Sequence, residues 1–309
     1  MFHKMGSKAP DIVRQLKFVI DRVNAAARSR PPHLQGKEPR LVAVSKTKPS
    51  SMIVEAYTSG QRHFGENYVQ ELVEKSTDPQ ILQNCADLRW HFIGNLQKNK
   101  VNKITGVPNL FMVETVDSEK LALALNNSWG KLSRGEPLRI MVQVNTSGEE
   151  NKGGVKPSEA PALALFVRDK CPHLQLAGLM TIGSYESSTT ATVNPDFQCL
   201  VQCRKEVAEA LGVAELDLEL SMGMSHDFEH AIETGSTNVR VGSTIFGARQ
   251  YPPKPDSAAS GAASEPNPSS ASTSASTAGP GGDSAKQCSS TDKVEVAETE
   301  LHSLSLNSS

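Results

Sequence analysis

Short apolar runs alternate with amphipathic stretches along this chain, from about residue 41 to residue 246. Eight of the runs are bounded by turn residues, which is typical of buried strands. They lie at residues 41–44, 62–64, 89–93, 110–114, 139–144, 174–180, 218–221 and 238–241. Apolar residues recur at helical spacing after each run. The pattern therefore predicts eight strands that are each followed by a helix.

Eight strand–helix units predict an α/β fold of the (β/α)8 or TIM-barrel type over residues 38–251. An open, doubly wound sheet is the alternative, but no Gly-x-Gly-x-x-Gly follows the first strand. Ahead of the barrel, Ile12, Leu16, Val19 and Val23 repeat at helical spacing. Residues 1–30 are therefore predicted to contain a helix that packs on the barrel.

Residues 252–309 have a different composition. Ser, Ala, Gly, Pro and Thr dominate, and large apolar residues are almost absent before Val294. Such a segment buries too little apolar surface to offset its ordering entropy. We therefore predict a disordered C-terminal tail.

Charge and cysteine content narrow the choice of partners. The formal net charge of −2 gives no reason to expect nucleic acid or an anionic membrane, and no apolar run approaches the ~20 residues of a membrane-spanning helix. Cys199 and Cys203 are four residues apart without further ligands nearby, so no metal site is predicted. The cysteine pattern favours a reducing compartment such as the cytoplasm, and the basic N-terminus leaves a mitochondrial presequence as the alternative.

A lysine, Lys46, stands at the end of the first predicted strand. Chemistry in such barrels lies at the C-terminal ends of the strands. Apolar neighbours disfavour the charged form of a lysine, and a lysine with a lowered pKa is a nucleophile for carbonyls. The other interpretation is a solvated basic loop, since Lys48 follows two residues later.

The loops after the seventh and eighth strands contain glycines and hydroxyls, in SMGMS at 221–225 and VGSTIFG at 241–247. Barrels often bind phosphate between these two loops, although taken singly each is also explained as a turn or a helix cap. An amine opposite a phosphate site predicts a phosphorylated carbonyl compound. Pyridoxal 5′-phosphate fits, and so does a sugar phosphate in a class I aldolase.

Arg240 precedes Gly242 by two residues, so it could reach the ring of a cofactor whose phosphate lies at that glycine. An arginine on the pyridine nitrogen makes the ring a weaker electron sink than an aspartate does. Direct contact with the phosphate and a structural ion pair with a carboxylate such as Glu219 are the alternatives.

Six segments carry a family resemblance: AVSKTKP at 43–49, HFGENYVQE at 63–71, WHFIGNLQ at 90–97, GLMTI at 178–182, LSMGMS at 220–225 and GSTNVRVGSTIFG at 235–247. Together they resemble the pyridoxal phosphate homeostasis protein family, also called the proline synthase co-transcribed homologue or YggS-like family. The resemblance covers about residues 10–251. It implies a barrel similar to the N-terminal domain of alanine racemase, with pyridoxal phosphate as its cofactor.

The resemblance also implies a set of cofactor-binding residues: Lys46, Asn67, Ser221, Met222, Arg240, Gly242 and Ser243. Lys46 would form the Schiff base, Asn67 would lie beside the cofactor, and Arg240 would face the pyridine nitrogen. The four others would hold the phosphate.

Racemases that this barrel resembles use a second, β-rich domain and a partner subunit to supply an acid/base tyrosine. Here the residues after the barrel form the polar tail, and Tyr68 is the only tyrosine expected at the mouth; a packing role is favoured for it. Structural roles are likewise favoured for His91, Glu66 and Glu114.

These features favour a monomeric, non-catalytic protein that stores, buffers or delivers pyridoxal phosphate to apo-enzymes. The alternatives are a pyridoxal-phosphate enzyme of racemase type with weak activity and a Schiff-base aldolase without cofactor.

Overall fold

A computed structural model describes residues 11–184 and 193–248. The strands are β1 (Arg40–Val44), β2 (His63–Glu66), β3 (Arg89–Phe92), β4 (Leu110–Val116), β5 (Leu138–Gln143), β6 (Leu174–Met180), β7 (Glu219–Ser221) and β8 (Asn238–Val241). The helices are α1 (Ile12–Arg28), α2 (Ser50–Thr58), α3 (Val69–Ser76), α4 (Pro79–Asn84), α5 (Val101–Thr105), α6 (Glu119–Gly130), α7 (Ala160–Lys170), α8 (Pro195–Leu211), α9 (Phe228–Thr234) and α10 (Ser243–Phe246). The predicted tail, 252–309, lies outside the described residues.

The eight strands form a closed barrel in sequence order. Every neighbouring pair is parallel, and β8 closes the barrel on β1, where Arg40 is opposite Asn238 and Ala43 is opposite Val241. This arrangement confirms the predicted (β/α)8 barrel. The C-terminal ends of all strands therefore meet at one mouth, and their N-terminal ends meet at the other.

The apolar core lies between the strands and the surrounding helices. Alternate strand residues such as Phe64, Phe92 and Leu220 point outward and are fully buried against apolar helix residues such as Ile53 and Leu72. This outer packing explains the runs of apolar residues in the sequence, since a strand of such a barrel is buried on both faces.

The interior of the barrel is unusually polar. Side chains of Glu114 on β4, Ser221 on β7 and Asn238 on β8 hydrogen-bond to one another, although β4 is not adjacent to either of the other strands. They can meet only through the lumen. Barrels of this type are more often filled by layers of branched apolar residues.

The helix α1 packs on the outside of the barrel, against α2, α9 and α10. Its apolar positions Ile12, Leu16, Val19 and Val23 are buried, as their helical spacing predicts. The helix thus covers the seam where the last and first strand–helix units meet. Among the described residues, no helix is both long and apolar enough to span a bilayer.

Candidate functional site

A cavity of about 300 Å³ opens at the C-terminal mouth of the barrel, and we call it the Lys46 cavity. It is lined by Val44, Lys46, Lys48, Asn67, Ile93, Met180, Ile182, Met224, Ser225, His226, Arg240, Gly242, Ser243 and Gly247. A larger hollow of about 670 Å³ lies between α1 and residues 30–38 on the outside of the barrel, away from the C-terminal ends of the strands. The Lys46 cavity is therefore the candidate site, because it lies where such barrels carry their chemistry.

Five of the seven predicted cofactor-binding residues line this cavity: Lys46, Asn67, Arg240, Gly242 and Ser243. Ser221 and Met222 do not. Both are fully buried, Met222 in the apolar core and Ser221 in the polar interior of the barrel. From the same loop, Met224 and Ser225 line the cavity instead, and the Ser225 hydroxyl accepts a hydrogen bond from the Gly242 amide at 3.3 Å.

Lys46 is half-buried, and the residues on both sides of it are held by hydrogen bonds. The Ser45 hydroxyl donates to Glu66 Oε1 at 2.7 Å, and the Thr47 amide donates to Glu71 Oε1 at 2.8 Å. Thr47 has a φ of 62°, a left-handed conformation that β-branched residues rarely adopt. These contacts fix the direction in which the chain leaves β1, and hence the place of Lys46.

A buried glutamate, a half-buried glutamate and a buried lysine lie beneath this turn. Lys75 Nζ donates to Glu66 Oε1 at 2.7 Å and to the Ser45 carbonyl at 2.8 Å, and it lies 3.6 Å from Glu71 Oε2. Burial raises the pKa of Glu66 to about 7, because the loss of hydration outweighs the attraction of Lys75. Among the described residues no donor lies within hydrogen-bond distance of the buried second oxygens of Glu66 and Glu71, and a hydrogen bond between the two carboxyls also raises the pKa of Glu66.

Arg240 is buried in the floor of the cavity, with its side chain held at two points. One terminal nitrogen donates to the Ser221 hydroxyl at 2.6 Å, and the other donates to the Thr181 carbonyl at 2.7 Å. Its predicted alternative partner, Glu219, instead pairs with Arg40 and Arg139 at the other end of the barrel. The ion-pair interpretation with Glu219 is therefore wrong.

The carboxylate of Glu114 supports Arg240 through Ser221. The Ser221 hydroxyl donates to Glu114 Oε2 at 2.6 Å, and Nδ1 of His91 lies 2.6 Å from Glu114 Oε1. Burial alone would raise the pKa of Glu114, but its hydrogen bonds with His91 and Ser221 and the positive charge of Arg240 hold it below its usual value. Burial also lowers the pKa of Arg240, against the attraction of Glu114. The interior thus places an anion beneath the guanidinium.

Two features of the β2–β3 side shape the cavity wall. The Asn67 side-chain oxygen is buried and has no hydrogen-bond partner in the described structure. A Cβ on Gly94 would lie 1.8 Å from the Asn67 carbonyl, so only glycine allows the backbones to approach so closely there. Similarly, a Cβ on Gly242 would lie 3.1 Å from the Val44 carbonyl.

The candidate acid/base residues lie apart from the cavity lining. Tyr68 is 53% exposed at the start of α3 and does not line the cavity. His91, Glu66 and Glu114 are buried and engaged in hydrogen bonds, which agrees with the structural roles favoured for them.

Three cavity residues, Ile182, Met224 and His226, were not individually assigned to the mouth from the sequence. Ile182 and Met224 are ordinary apolar residues shortly after the ends of β6 and β7, so only their position in the chain indicates that they lie at the mouth. In the described ranges, no group of three or more His, Cys, Asp or Glu side chains could hold a metal ion.

The chain matches the family model of the alanine racemase N-terminal domain over residues 21–250. It is 56% identical over 240 residues to the pyridoxal phosphate homeostasis proteins of Mus musculus and Homo sapiens. These matches cover 78% of this chain and 88% and 87% of the two relatives.

Solved structures give the same picture. PipY of Synechococcus elongatus, solved without and with PLP bound, is 34% identical with a TM-score of 0.61, over 77% of this chain and all of PipY. An alanine racemase of Clostridium difficile is 15% identical with a TM-score of 0.56, over 79% of this chain and 58% of the racemase. This second likeness shows the fold alone.

Proposed function

The chain belongs to the pyridoxal phosphate homeostasis protein family and carries the alanine racemase N-terminal domain, and from this premise we propose that it binds pyridoxal 5′-phosphate in the Lys46 cavity. It stores, buffers or delivers the cofactor to apo-enzymes and turns over no substrate of its own. The observation that carries the proposal is the presence of Lys46, Arg240 and Ser243 on one cavity.

The cavity lining suits a flat aromatic aldehyde with a phosphate. Its volume of about 300 Å³ is at the lower end for small-ligand sites. Hydroxyls of Ser225 and Ser243 beside Gly242 supply donors for phosphate oxygens. The buried Asn67 oxygen would accept a hydrogen bond from a ligand, which supports binding beside it.

When bound, pyridoxal phosphate supplies an aldehyde carbon that condenses reversibly with amines. Lys46 would provide the amine, on a turn that Glu66, Glu71 and Lys75 hold in place. Arg240 would meet the pyridine nitrogen as a hydrogen-bond donor. A donor at that position leaves the ring a weaker electron sink than an aspartate would.

Borohydride reduction tests whether Lys46 is the residue that binds the cofactor covalently. We expect reduction of the loaded protein to fix the cofactor on Lys46, as found by peptide mass spectrometry, and Lys46→Ala to abolish the label. Lys48→Ala is the matched control, because Lys48 lines the same cavity but donates to the Ala248 carbonyl. A label on Lys48 in the wild-type chain would refute the assignment.

A transfer assay tests the role. The loaded protein is mixed with an apo-enzyme and a scavenger of free pyridoxal phosphate, and we expect enzyme activity to appear despite the scavenger. Sustained turnover of an amino acid that is abolished by Lys46→Ala would establish the racemase-type alternative instead.

We further propose a cytoplasmic monomer, for which sedimentation should give the chain mass of 33.2 kDa.

A further inference from the structure

Four cationic side chains gather at the N-terminal mouth, opposite the Lys46 cavity, and we call them the N-terminal basic cluster. They are Lys37, Arg40, Arg89 and Arg139. Lys37 precedes β1, and the arginines are first or second residues of β1, β3 and β5. Since these strands are not all neighbours, the arginines converge across the lumen.

The three arginines surround one aromatic ring. Their guanidinium carbons lie 5.3, 5.4 and 5.2 Å from the centroid of Phe111. Each such cation–π contact is favourable, because the face of the ring carries partial negative charge. Three like charges around one ring also repel one another, so the arrangement calls for negative charge nearby.

The protein supplies less negative charge than the cluster requires. Glu219 is its one carboxylate partner within the described ranges, at 2.6 Å from Arg40, 2.9 Å from Arg139 and 3.6 Å from Lys37. Arg89 forms no ion pair in the described part of the chain. Four cations against one carboxylate leave three positive charges in excess, in a chain whose formal net charge is −2.

One donor of the cluster is buried without an acceptor. Nε of Arg139 has no hydrogen-bond partner among the residues that the structure describes, while a terminal nitrogen of the same guanidinium donates to Glu219. An unpaired buried donor is costly in a folded protein, and the planar fork of arginine suits a bidentate oxyanion. The neighbouring His63 has its pKa lowered to about 2, by burial first and then by the positive charges around it.

We propose that the N-terminal basic cluster binds a small tetrahedral oxyanion, inorganic phosphate or the phosphate group of a small metabolite, between Arg89 and Arg139. Arg89 is exposed and Arg139 is half-buried, so an anion can reach them from solvent. The ligand would offset the excess charge and accept hydrogen bonds from the terminal nitrogens of the two guanidinium groups. This site is separate from the Lys46 cavity and does not depend on the function proposed for it.

The test uses the ¹⁵N-labelled full chain without cofactor. Inorganic phosphate is titrated at constant ionic strength, with sodium chloride adjusted to compensate, and the arginine Nε–Hε resonances are followed. We expect the Arg139 resonance, assigned by its loss in Arg139→Lys, to shift with saturation at millimolar phosphate or below. A parallel titration with glycerol phosphate shows whether free phosphate or a phosphate ester binds more tightly.

Variants separate binding from general screening. Arg89→Ala should raise the half-saturating phosphate concentration about tenfold, because it removes a charge-assisted contact but no ion pair. Arg168→Ala is the matched control, since Arg168 pairs with its neighbour Asp169 on α7, away from the cluster, and it should leave the titration unchanged. A linear shift without saturation, or equal titrations in wild type and Arg89→Ala, would show that the cluster binds no oxyanion and has a structural role alone.

Discussion

Ser221 lies between a buried carboxylate and a buried guanidinium. Its hydroxyl donates to Glu114 and accepts from Arg240. The family resemblance assigns it to the phosphate, whereas its contacts assign it to holding Arg240. Comparison of pyridoxal phosphate with pyridoxal, which lacks the phosphate, distinguishes the two roles.

We expect Ser221→Ala to weaken binding of pyridoxal phosphate and pyridoxal by the same factor, about tenfold, because a hydrogen bond to a charged group is lost in both complexes. Ser243→Ala should weaken binding of pyridoxal phosphate only. Absorbance titration of each variant with both compounds gives the two ratios.

A double variant provides the control for this prediction. If Ser221 acts through Arg240, Ser221→Ala with Arg240→Lys should lose no more affinity than Arg240→Lys alone. A Ser221→Ala variant that loses affinity for pyridoxal phosphate but binds pyridoxal normally would return Ser221 to the phosphate site.

The buried Glu66 predicts a specific dependence of stability on pH. Its pKa is raised to about 7 in the folded chain, against 4.5 for the free group. The folded state therefore binds more protons than the unfolded state between these values, and this group's contribution to stability falls as pH rises from about 4.5 to 7. Glu66→Gln should remove that dependence.

We therefore expect the free energy of unfolding of Glu66→Gln, minus that of the wild type, to rise by about 2.5 kcal/mol between pH 5 and pH 8. Urea unfolding at several pH values measures it. Glu74→Gln, on the exposed face of α3, is the matched control. Its free energy of unfolding, minus that of the wild type, should not change between pH 5 and pH 8. A flat difference for Glu66→Gln as well would contradict the raised pKa.

At the scale of elements, β6 and β7 depend on a glycine. A Cβ on Gly178 would lie 1.9 Å from the backbone carbonyl of Glu219, its partner in the strand pairing. Gly178→Ala should therefore force the two strands apart and cost at least about 1–3 kcal/mol of stability. Gly153→Ala, whose nearest neighbour would be 3.5 Å away, should change the melting temperature little.

The strands could be predicted closely because each is buried on both faces and so reads as an apolar run between turns. The structure places β6 and β8 at the predicted residues and moves the others by one or two residues at their ends. The short helix α4 was missed, since six residues beginning with Pro79 show too little periodicity. The helices predicted after β3 and β5 begin as 3-10 turns, at Lys98 and Pro157, and continue as α5 and α7.

The site could be predicted only in part, for a related reason. Lys46, Arg240 and Gly242 follow from strand ends and loop chemistry, which are local properties of the sequence. Ser221 contacts Glu114, which is 107 positions away in the sequence, and Arg240, which is 19 positions away. The stagger between strands decides at which level of the lumen each side chain lies, and no local sequence pattern predicts that stagger.

At the scale of the whole molecule, the two ends of the chain should contribute unequally. Truncation after Tyr251 is expected to leave the melting temperature and cofactor binding unchanged, because the polar tail offers little apolar surface to bury. Removal of residues 1–30 should destabilise the barrel strongly, since Ile12, Leu16 and Val19 are buried against the outer helices. Calorimetry of both truncations tests this; a large loss from the first would contradict the predicted tail.

The polar lumen fixes the positions of its own protons. An ionised Glu114 can only accept, so Nδ1 of His91 carries a proton and its Nε2 must accept from Nδ1 of His63, 2.8 Å away. Both imidazoles are thereby confined to the Nδ1–H tautomer, and their lowered pKa values keep them neutral. Two-bond ¹H–¹⁵N spectra should show the same tautomer for both rings from pH 5 to pH 8, in a barrel interior whose proton positions do not follow the pH of the solvent.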